Sequence, residues 1–115
     1  MNEGPRELVI VVTKGTAHEL SSIAFAMANE GITAGLRVTV LLVSASVDLV
    51  RRRAATQPLE ELIADFLRRG GTLWARSACV KARGYALRDF IDGVKIAPSG
   101  ALAERVLADA AVLSF

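Results

Sequence analysis

The residue best able to do chemistry in this 115-residue chain is its one cysteine, Cys79. It follows a short apolar run, residues 72–75, and precedes a predicted helix. In an open α/β sheet, ligands and reactive groups lie beyond the carboxyl ends of the strands. A helix N-terminus and nearby cations, here Lys81 and Arg83, favour the thiolate form of a cysteine at such a position. The pattern predicts sulfur chemistry, in which the thiolate accepts sulfane sulfur as a persulfide or forms a sulfenic acid.

Three residues close to the cysteine in the sequence belong to the same predicted site. Arg76 and Lys81 supply positive charge for an anionic thiolate or persulfide, and Ser77 is a small neighbour that leaves the sulfur accessible. The alternative is that Cys79 is a packing residue, because free cysteine is among the residue types most often buried.

A second group of candidate binding residues follows the first predicted strand. Lys14 and Gly15 form a turn, and exposed amides at the start of the next helix can bind an anion there. His18, in the first turn of that helix, is a candidate proton donor or anion contact; the alternative is a solvated histidine on the helix face. The phosphate-loop and dinucleotide-binding glycine patterns are both absent from this turn.

Composition restricts the class of protein. The chain is 52% hydrophobic and 23% charged, which excludes a disordered segment and predicts one domain over residues 1–115. The apolar content favours a sheet covered on both faces together with a buried subunit interface. One cysteine excludes an internal disulfide, and a single histidine argues against a conventional zinc site. We expect no metal and no cofactor.

Charge and hydropathy give expectations for location and partners. No apolar run approaches the roughly 18 residues of a membrane span, and residues 1–7 lack the pattern of a signal peptide. A cytoplasmic protein that contacts no membrane is therefore expected. The formal net charge is +2, and two arginine clusters, residues 51–53 and 68–69, are interpreted as solvated helix faces. With aromatic residues at 5% and none alternating with the basic ones, no nucleic-acid partner is expected.

Strand and helix patterns alternate along the chain. Strands are predicted at residues 8–13, 37–43, 72–75, 94–96 and 111–115. Helical segments are predicted after Thr16, at residues 47–53, from Pro58, from Cys79 and at residues 100–109. The alternation predicts an α/β, single-domain, three-layer flavodoxin-like fold, with a five-stranded, mostly parallel sheet and helices on both faces. The strand order usual at this size, 2-1-3-4-5, would bring the Lys14 turn and Cys79 into one crevice.

Two details of the helices are also predicted. Thr16 is expected to cap the first helix, with Glu19 completing a capping box. The inward face of the last helix is expected to consist of Leu102, Val106 and Leu107.

Three local patterns give the chain a family resemblance. They are Met27-Ala28-Asn29-Glu30-Gly31 at the end of the first helix, Gly70-Gly71 before a short strand and then Cys79-Val80-Lys81-Ala82-Arg83-Gly84, and the closing segment of residues 108–115, where such domains typically end in a strand. With these patterns the chain resembles the DsrE/DsrF-like family of small flavodoxin-like sulfur-relay proteins. The resemblance implies a sulfurtransferase role with Cys79 as the persulfide-carrying nucleophile. It also implies a trimer or hexamer, or hetero-oligomers with related subunits, that exchange sulfur with donor and acceptor proteins.

The chain departs from the family pattern at one position. Many relatives carry Cys-x-x-Cys here, whereas this chain has Arg76-Ser77-Ala78-Cys79. An intramolecular dithiol mechanism is therefore excluded, and a single-cysteine relay between partner thiols remains. Two other hypotheses stay open. One is a non-catalytic oligomeric subunit that binds an anion or a partner tail in the crevice, and the other is a redox sensor that forms an intersubunit disulfide through Cys79.

Overall fold

Five apolar segments form the strands of one sheet in the computed structural model, which describes residue 4 and residues 6–115. The strands are β1 Glu7–Val12, β2 Arg37–Leu42, β3 Thr72–Arg76, β4 Val94–Ala97 and β5 Ala111–Ser114. The helices are α1 Glu19–Thr33, α2 Leu59–Arg68, α3 Ser77–Ala82 and α4 Ala101–Leu107, with 3-10 helices at Ser44–Val50 and Leu87–Asp89. The predicted α/β class is confirmed.

All neighbouring strands pair in parallel, in the order β4-β3-β2-β1-β5. The expected order 2-1-3-4-5 is wrong, because β2 lies between β1 and β3. Periodicity along the chain does not encode which strands pair. One signal did favour this position for β2: the most apolar run of the sequence, residues 38–43, is typical of a strand buried on both faces.

The strand order decides how the helices are distributed over the two faces. The first three crossovers all step in one direction across the sheet, and the last steps back past β1 to β5. Right-handed crossovers then place α1, α2 and α3 on one face and α4 alone on the other. The apolar clusters agree: one contains Phe25 of α1 and Phe66 of α2, and the other contains Ala101 of α4.

The larger cluster is organised around aromatic rings. Phe25, Phe66 and Phe90 are fully buried. Phe25 and Phe66 meet edge to face, with ring centroids 5.8 Å apart and an interplanar angle of 78°. This contact joins α1 to α2 over β1 and β2, and burial of each such ring contributes about 1.5–3 kcal/mol to stability.

Three details of the helices differ from the sequence-based expectations. The cap of α1 is His18 rather than Thr16, because residues 15–18 form a turn in which the His18 N–H donates to the carbonyl of Gly15. Val106 and Leu107 do not face inward: they are 50% and 85% exposed. The reason is that α4 has only seven residues and packs through its first turn.

The segment predicted as a helix over residues 47–53 is a 3-10 helix that ends at Val50. Arg51 instead pairs with Phe90 in an isolated antiparallel bridge. The arginine cluster therefore lies on a turn after the helix and not on a helix face.

Among the described glycines, Gly71, which follows α2, is the one at which an added Cβ would come closest to a core ring. A Cβ atom on Gly71 would lie 2.3 Å from two ring atoms of Phe66. We expect Gly71→Ala to lower the free energy of unfolding by roughly 2–3 kcal/mol, the upper part of the usual range for overpacking, because the packed ring must shift. Urea denaturation measures this loss.

Gly70→Ala is the matched control for that experiment. Gly70 has nothing within 4 Å of a built Cβ but has a φ of +92°, so its substitution introduces backbone strain alone, about 1 kcal/mol. Losses of equal size at the two glycines would contradict the steric explanation for Gly71.

Candidate functional site

The candidate residues gather at the carboxyl edge of the sheet. Because all five strands run in parallel, three segments begin at this edge: the turn after β1, the 3-10 helix after β2, and α3 after β3. The expected crevice between β1 and β3 is replaced by three adjacent segments in the order of the strands. Gly15 lies against Ala45, and Ser44 in turn contacts Cys79.

Cys79 is the third residue of α3 and is half-buried. Its Sγ accepts a hydrogen bond from the backbone N–H of Ser44, with N and Sγ 3.2 Å apart. The guanidinium of Arg76 approaches the same sulfur, with Nη1 at 3.8 Å. The thiol is thus held between the end of β2 and the end of β3 by two donors that favour a negative sulfur.

These surroundings shift the pKa of Cys79. Burial raises the pKa, but the Ser44 N–H and the positive charges of Arg76 and Arg83 lower it by more, so that it lies below its ordinary value. A lower pKa places more of the sulfur in the nucleophilic thiolate form near neutral pH.

The donor on Ser44 depends on an unusual backbone conformation. Ser44 has a φ of +56°, in the left-handed region that side chains other than glycine rarely adopt. Ser46 holds this bend, because its buried hydroxyl donates to the carbonyls of Val12 and Val43. Strain of this kind, about 1 kcal/mol or more, is found where the surrounding structure fixes a backbone group in a working position.

A polar network ties the segment after β2 to the end of α3. The Tyr85 hydroxyl donates to Asp48 at 2.6 Å, and the Arg83 Nε lies 3.9 Å from the other oxygen of that carboxylate. Arg51 stacks over the Tyr85 ring, with its guanidinium carbon 4.6 Å from the centroid. The hydrogen bond to Asp48 raises the pKa of Tyr85, so the phenol keeps its proton and remains a donor. The network therefore stabilises the contact between Ser44 and Cys79.

The candidate binding residues after β1 have structural contacts of their own. The carbonyls of Lys14 and Gly15 accept hydrogen bonds from the buried Ser21 hydroxyl, at 3.0 and 2.8 Å. His18 Nδ1 accepts from the N–H of Leu20 as the cap of α1. Anion binding by this turn stays a prediction.

The remaining candidates lie on α3 itself. Ser77 is its half-buried first residue. Lys81 is exposed, its ammonium makes no hydrogen bond or ion pair within the described part of the chain, and it is not among the charges that lower the pKa of Cys79. Arg83, which the sequence also indicated, contributes instead.

An apolar cleft of about 340 Å³ lies beside this site on the α4 face. Arg76 is its one charged lining residue, and its apolar walls include Val11, Leu41, Val43 and Leu102. Arg76 thus joins the cleft to Cys79, since its guanidinium is in contact with the sulfur. Such an arrangement can hold the apolar part of a small molecule near the Cys79 sulfur.

Sequence reasoning missed Ser44 and the hydrogen-bonded pair of Asp48 with Tyr85 as parts of the site. Ser44 directly follows the strand predicted over residues 37–43, and that position is a usable signal. Its contact with Cys79 depends on β2 and β3 being neighbours, which the predicted order did not include.

The described part of the chain has neither a metal-binding cluster nor a helix that could span a membrane. Among residue 4 and residues 6–115, no group of three or more His, Cys, Asp or Glu side chains could hold a metal ion. None of the helices described for this chain is both long enough and apolar enough to cross a membrane.

A family model described as the DsrE/DsrF-like family matches residues 6–115. No curated protein matches the chain.

Three solved structures resemble the fold. The protein of unknown function MTH1491 from Methanobacterium thermoautotrophicum is 17% identical, with a TM-score of 0.78 over 96% of this chain and 99% of that one. The ychN protein from E. coli is 21% identical, with a TM-score of 0.76 and the same coverage. The protein BT1422 from Bacteroides thetaiotaomicron is 23% identical, with a TM-score of 0.67 over 96% of this chain and 95% of that one. At these identities the likeness shows the fold.

The lowered pKa of Cys79 can be measured directly, because the chain has no other cysteine. We expect the rate of alkylation by iodoacetamide to rise with pH with a midpoint below the ~8.5 of a free thiol. Arg76→Met should move the midpoint upward, since it removes a charge that stabilises the thiolate. Intact-mass spectrometry follows the reaction.

Lys81→Met is the matched control, because it removes a positive charge from the same helix without removing one that acts on the sulfur. A wild-type midpoint at or above that of a free thiol would contradict the electrostatic account. So would an equal shift from the two substitutions.

Proposed function

Because the chain belongs to the DsrE/DsrF-like family, we propose that it is a cytoplasmic sulfur carrier of the sulfurtransferase type, with Cys79 holding sulfane sulfur as a persulfide. The observation that carries the proposal is the pair of donors on the Cys79 sulfur, the Ser44 N–H and the Arg76 guanidinium. Both stabilise negative charge on Cys79 Sγ, which carries it as the attacking thiolate during loading and as the leaving thiolate during unloading.

Loading begins with a donor persulfide, R–S–SH. The Cys79 thiolate attacks the outer sulfur, a new S–S bond forms, and the donor's own S–S bond breaks. The donor leaves as the thiolate R–S⁻ with the electron pair of the broken bond, and Cys79 becomes Cys79–S–SH. The proton stays on the transferred sulfur, and no external oxidant or reductant is consumed.

Unloading repeats this exchange with an acceptor thiolate. The acceptor attacks the outer sulfur, takes it with its proton, and Cys79 leaves as a thiolate. A low pKa makes Cys79 a better leaving group in this step. Because the chain has one cysteine, no internal thiol can discharge the persulfide as a disulfide, and the sulfur passes to another molecule.

We also propose that the chain assembles with copies of itself or with related subunits through its α4 face. Val106 and Leu107 of α4 are 50% and 85% exposed, and Val112, which projects to the same face as Val9, is 40% exposed. Only one of the four crossover helices, α4, lies on this face, because the other three lie on the opposite side of the sheet. A single helix of seven residues leaves part of the face uncovered. An apolar surface left in this way is typical of a subunit interface.

Sulfur loading tests the proposed role of Cys79. Wild-type protein incubated with glutathione persulfide is expected to gain the mass of one sulfur atom, and Cys79→Ser is expected to gain none. Arg76→Met should load more slowly at neutral pH, because less of its thiol is ionised. Equal loading of wild type and Cys79→Ser, or no loading of wild type, would rule out the carrier role.

Sedimentation tests the assembly. Leu107→Glu should shift the sedimenting species toward the monomer, because a carboxylate does not enter an apolar interface without a partner. Folding should be unaffected, since Leu107 is exposed. Leu87→Glu is the matched control, a 55% exposed leucine on the second 3-10 helix. A monomeric wild type, or a Leu107→Glu variant that sediments like wild type, would contradict assembly through this face.

A further inference from the structure

A second cleft lies away from the cysteine, between the 3-10 helix Ser44–Val50 and α2. Its volume is about 310 Å³, at the lower end of the roughly 300–1,000 Å³ of small-molecule sites. Its walls are mainly apolar and include Leu49, Ile63, Leu67 and Ile91. Neither Cys79 nor its two donors line it, so the sulfur chemistry does not account for it.

Four charged residues line this cleft, and all four are exposed, which places them at its mouth: Arg51, Arg53, Glu60 and Asp92. Three of them have partners. Arg51 stacks on Tyr85, Glu60 accepts from Gln57 at 3.3 Å, and Asp92 pairs with Arg52 at 3.1 Å.

The side chain of Arg53 differs from the other three. Within the described part of the chain it makes no hydrogen bond, ion pair or ring contact. A guanidinium at the edge of an apolar cleft, with all five of its N–H donors unused, is suited to a carboxylate, which it can bind through two parallel hydrogen bonds.

The backbone at Arg53 gives a second, independent observation. Arg53 has a φ of +67°, in a turn closed by the Ala54 N–H donating to the Arg51 carbonyl at 3.0 Å. Glycine is the residue that fits such a position without strain. The neighbouring Arg52 anchors the turn, since its N–H and Nε donate to the carbonyls of Asp89 and Arg88. An arginine is thus held in a strained conformation at the mouth of the cleft, which points to a use for its side chain.

We propose that this cleft binds a singly charged amphipathic anion, a medium-chain carboxylate, with its chain among the apolar walls and its carboxylate on Arg53. The two carboxylates at the mouth, Glu60 and Asp92, disfavour ligands of higher negative charge such as phosphate esters. The apolar lining disfavours small anions that have no hydrocarbon part.

Isothermal titration calorimetry with octanoate tests the proposal. Octanoate is expected to bind about tenfold or more tightly than acetate, which lacks the chain, and than octan-1-ol, which lacks the charge. Arg53→Gly should weaken octanoate binding about tenfold and leave octan-1-ol binding unchanged.

The same variant should melt at the temperature of wild type or above it, because glycine relieves the strained turn. Loss of binding with a retained fold thus separates a role in binding from a role in folding.

Two further variants complete the test. Ala64→Phe adds bulk at the cleft and should weaken both octanoate and octan-1-ol. Arg88→Ala removes an exposed arginine that is not in the cleft lining and should leave binding unchanged. Octanoate binding no stronger than that of acetate or octan-1-ol, or unaffected by Arg53→Gly, would overturn the proposal. The alternative occupant of the cleft is a second copy of the chain. That occupant would be indicated, and the proposal overturned, if octanoate failed to bind and Ala64→Phe changed the sedimentation of the protein.

Discussion

The parallel pairing of β2 with both β1 and β3 is the constraint on which the carboxyl edge of the sheet depends. Because β2 is a neighbour of β3, the second residue after its end, Ser44, reaches the sulfur of Cys79. Because β2 is also a neighbour of β1, the Ser46 hydroxyl binds the carbonyl of Val12 and holds the bend that points the Ser44 N–H at the sulfur. One strand thus positions the donor and fixes the conformation that the donor requires.

Electrostatics at the sulfur is a balance between burial and donors. Half-burial alone would favour the neutral thiol, since a charged sulfur loses hydration. One backbone N–H and two guanidinium groups outweigh this, and the pKa falls. Arg83 acts at longer range, and its pairing with Asp48 gives it a fixed place. Because Asp48 also binds Tyr85, its carboxylate belongs to the structural network that holds the two segments together.

The handedness of the crossovers has a consequence on the far side of the sheet. Three crossover segments lie on one face, and the seven-residue α4 lies on the other. The face with fewer helices therefore retains exposed apolar side chains and the open cleft beside Arg76. Strand order thus links two properties of the molecule, namely the contacts of the cysteine and the apolar surface left exposed on the α4 face.

The sequence by itself determined the α/β alternation, the approximate bounds of the strands and the position of Cys79 beyond β3, because periodicity and turn residues act over a few neighbouring positions. The cationic residue Arg76 beside the cysteine could be identified for the same reason, since it lies only three residues away.

Only the tertiary structure decided which strands are neighbours, and with that the Ser44 donor, the Tyr85–Asp48 pair and the exposure of Val106 and Leu107. These contacts join residues about 35 positions apart, or depend on how much of a face a short helix can cover. Local patterns contain no record of such distant neighbours, because they are selected by the packing of the whole sheet.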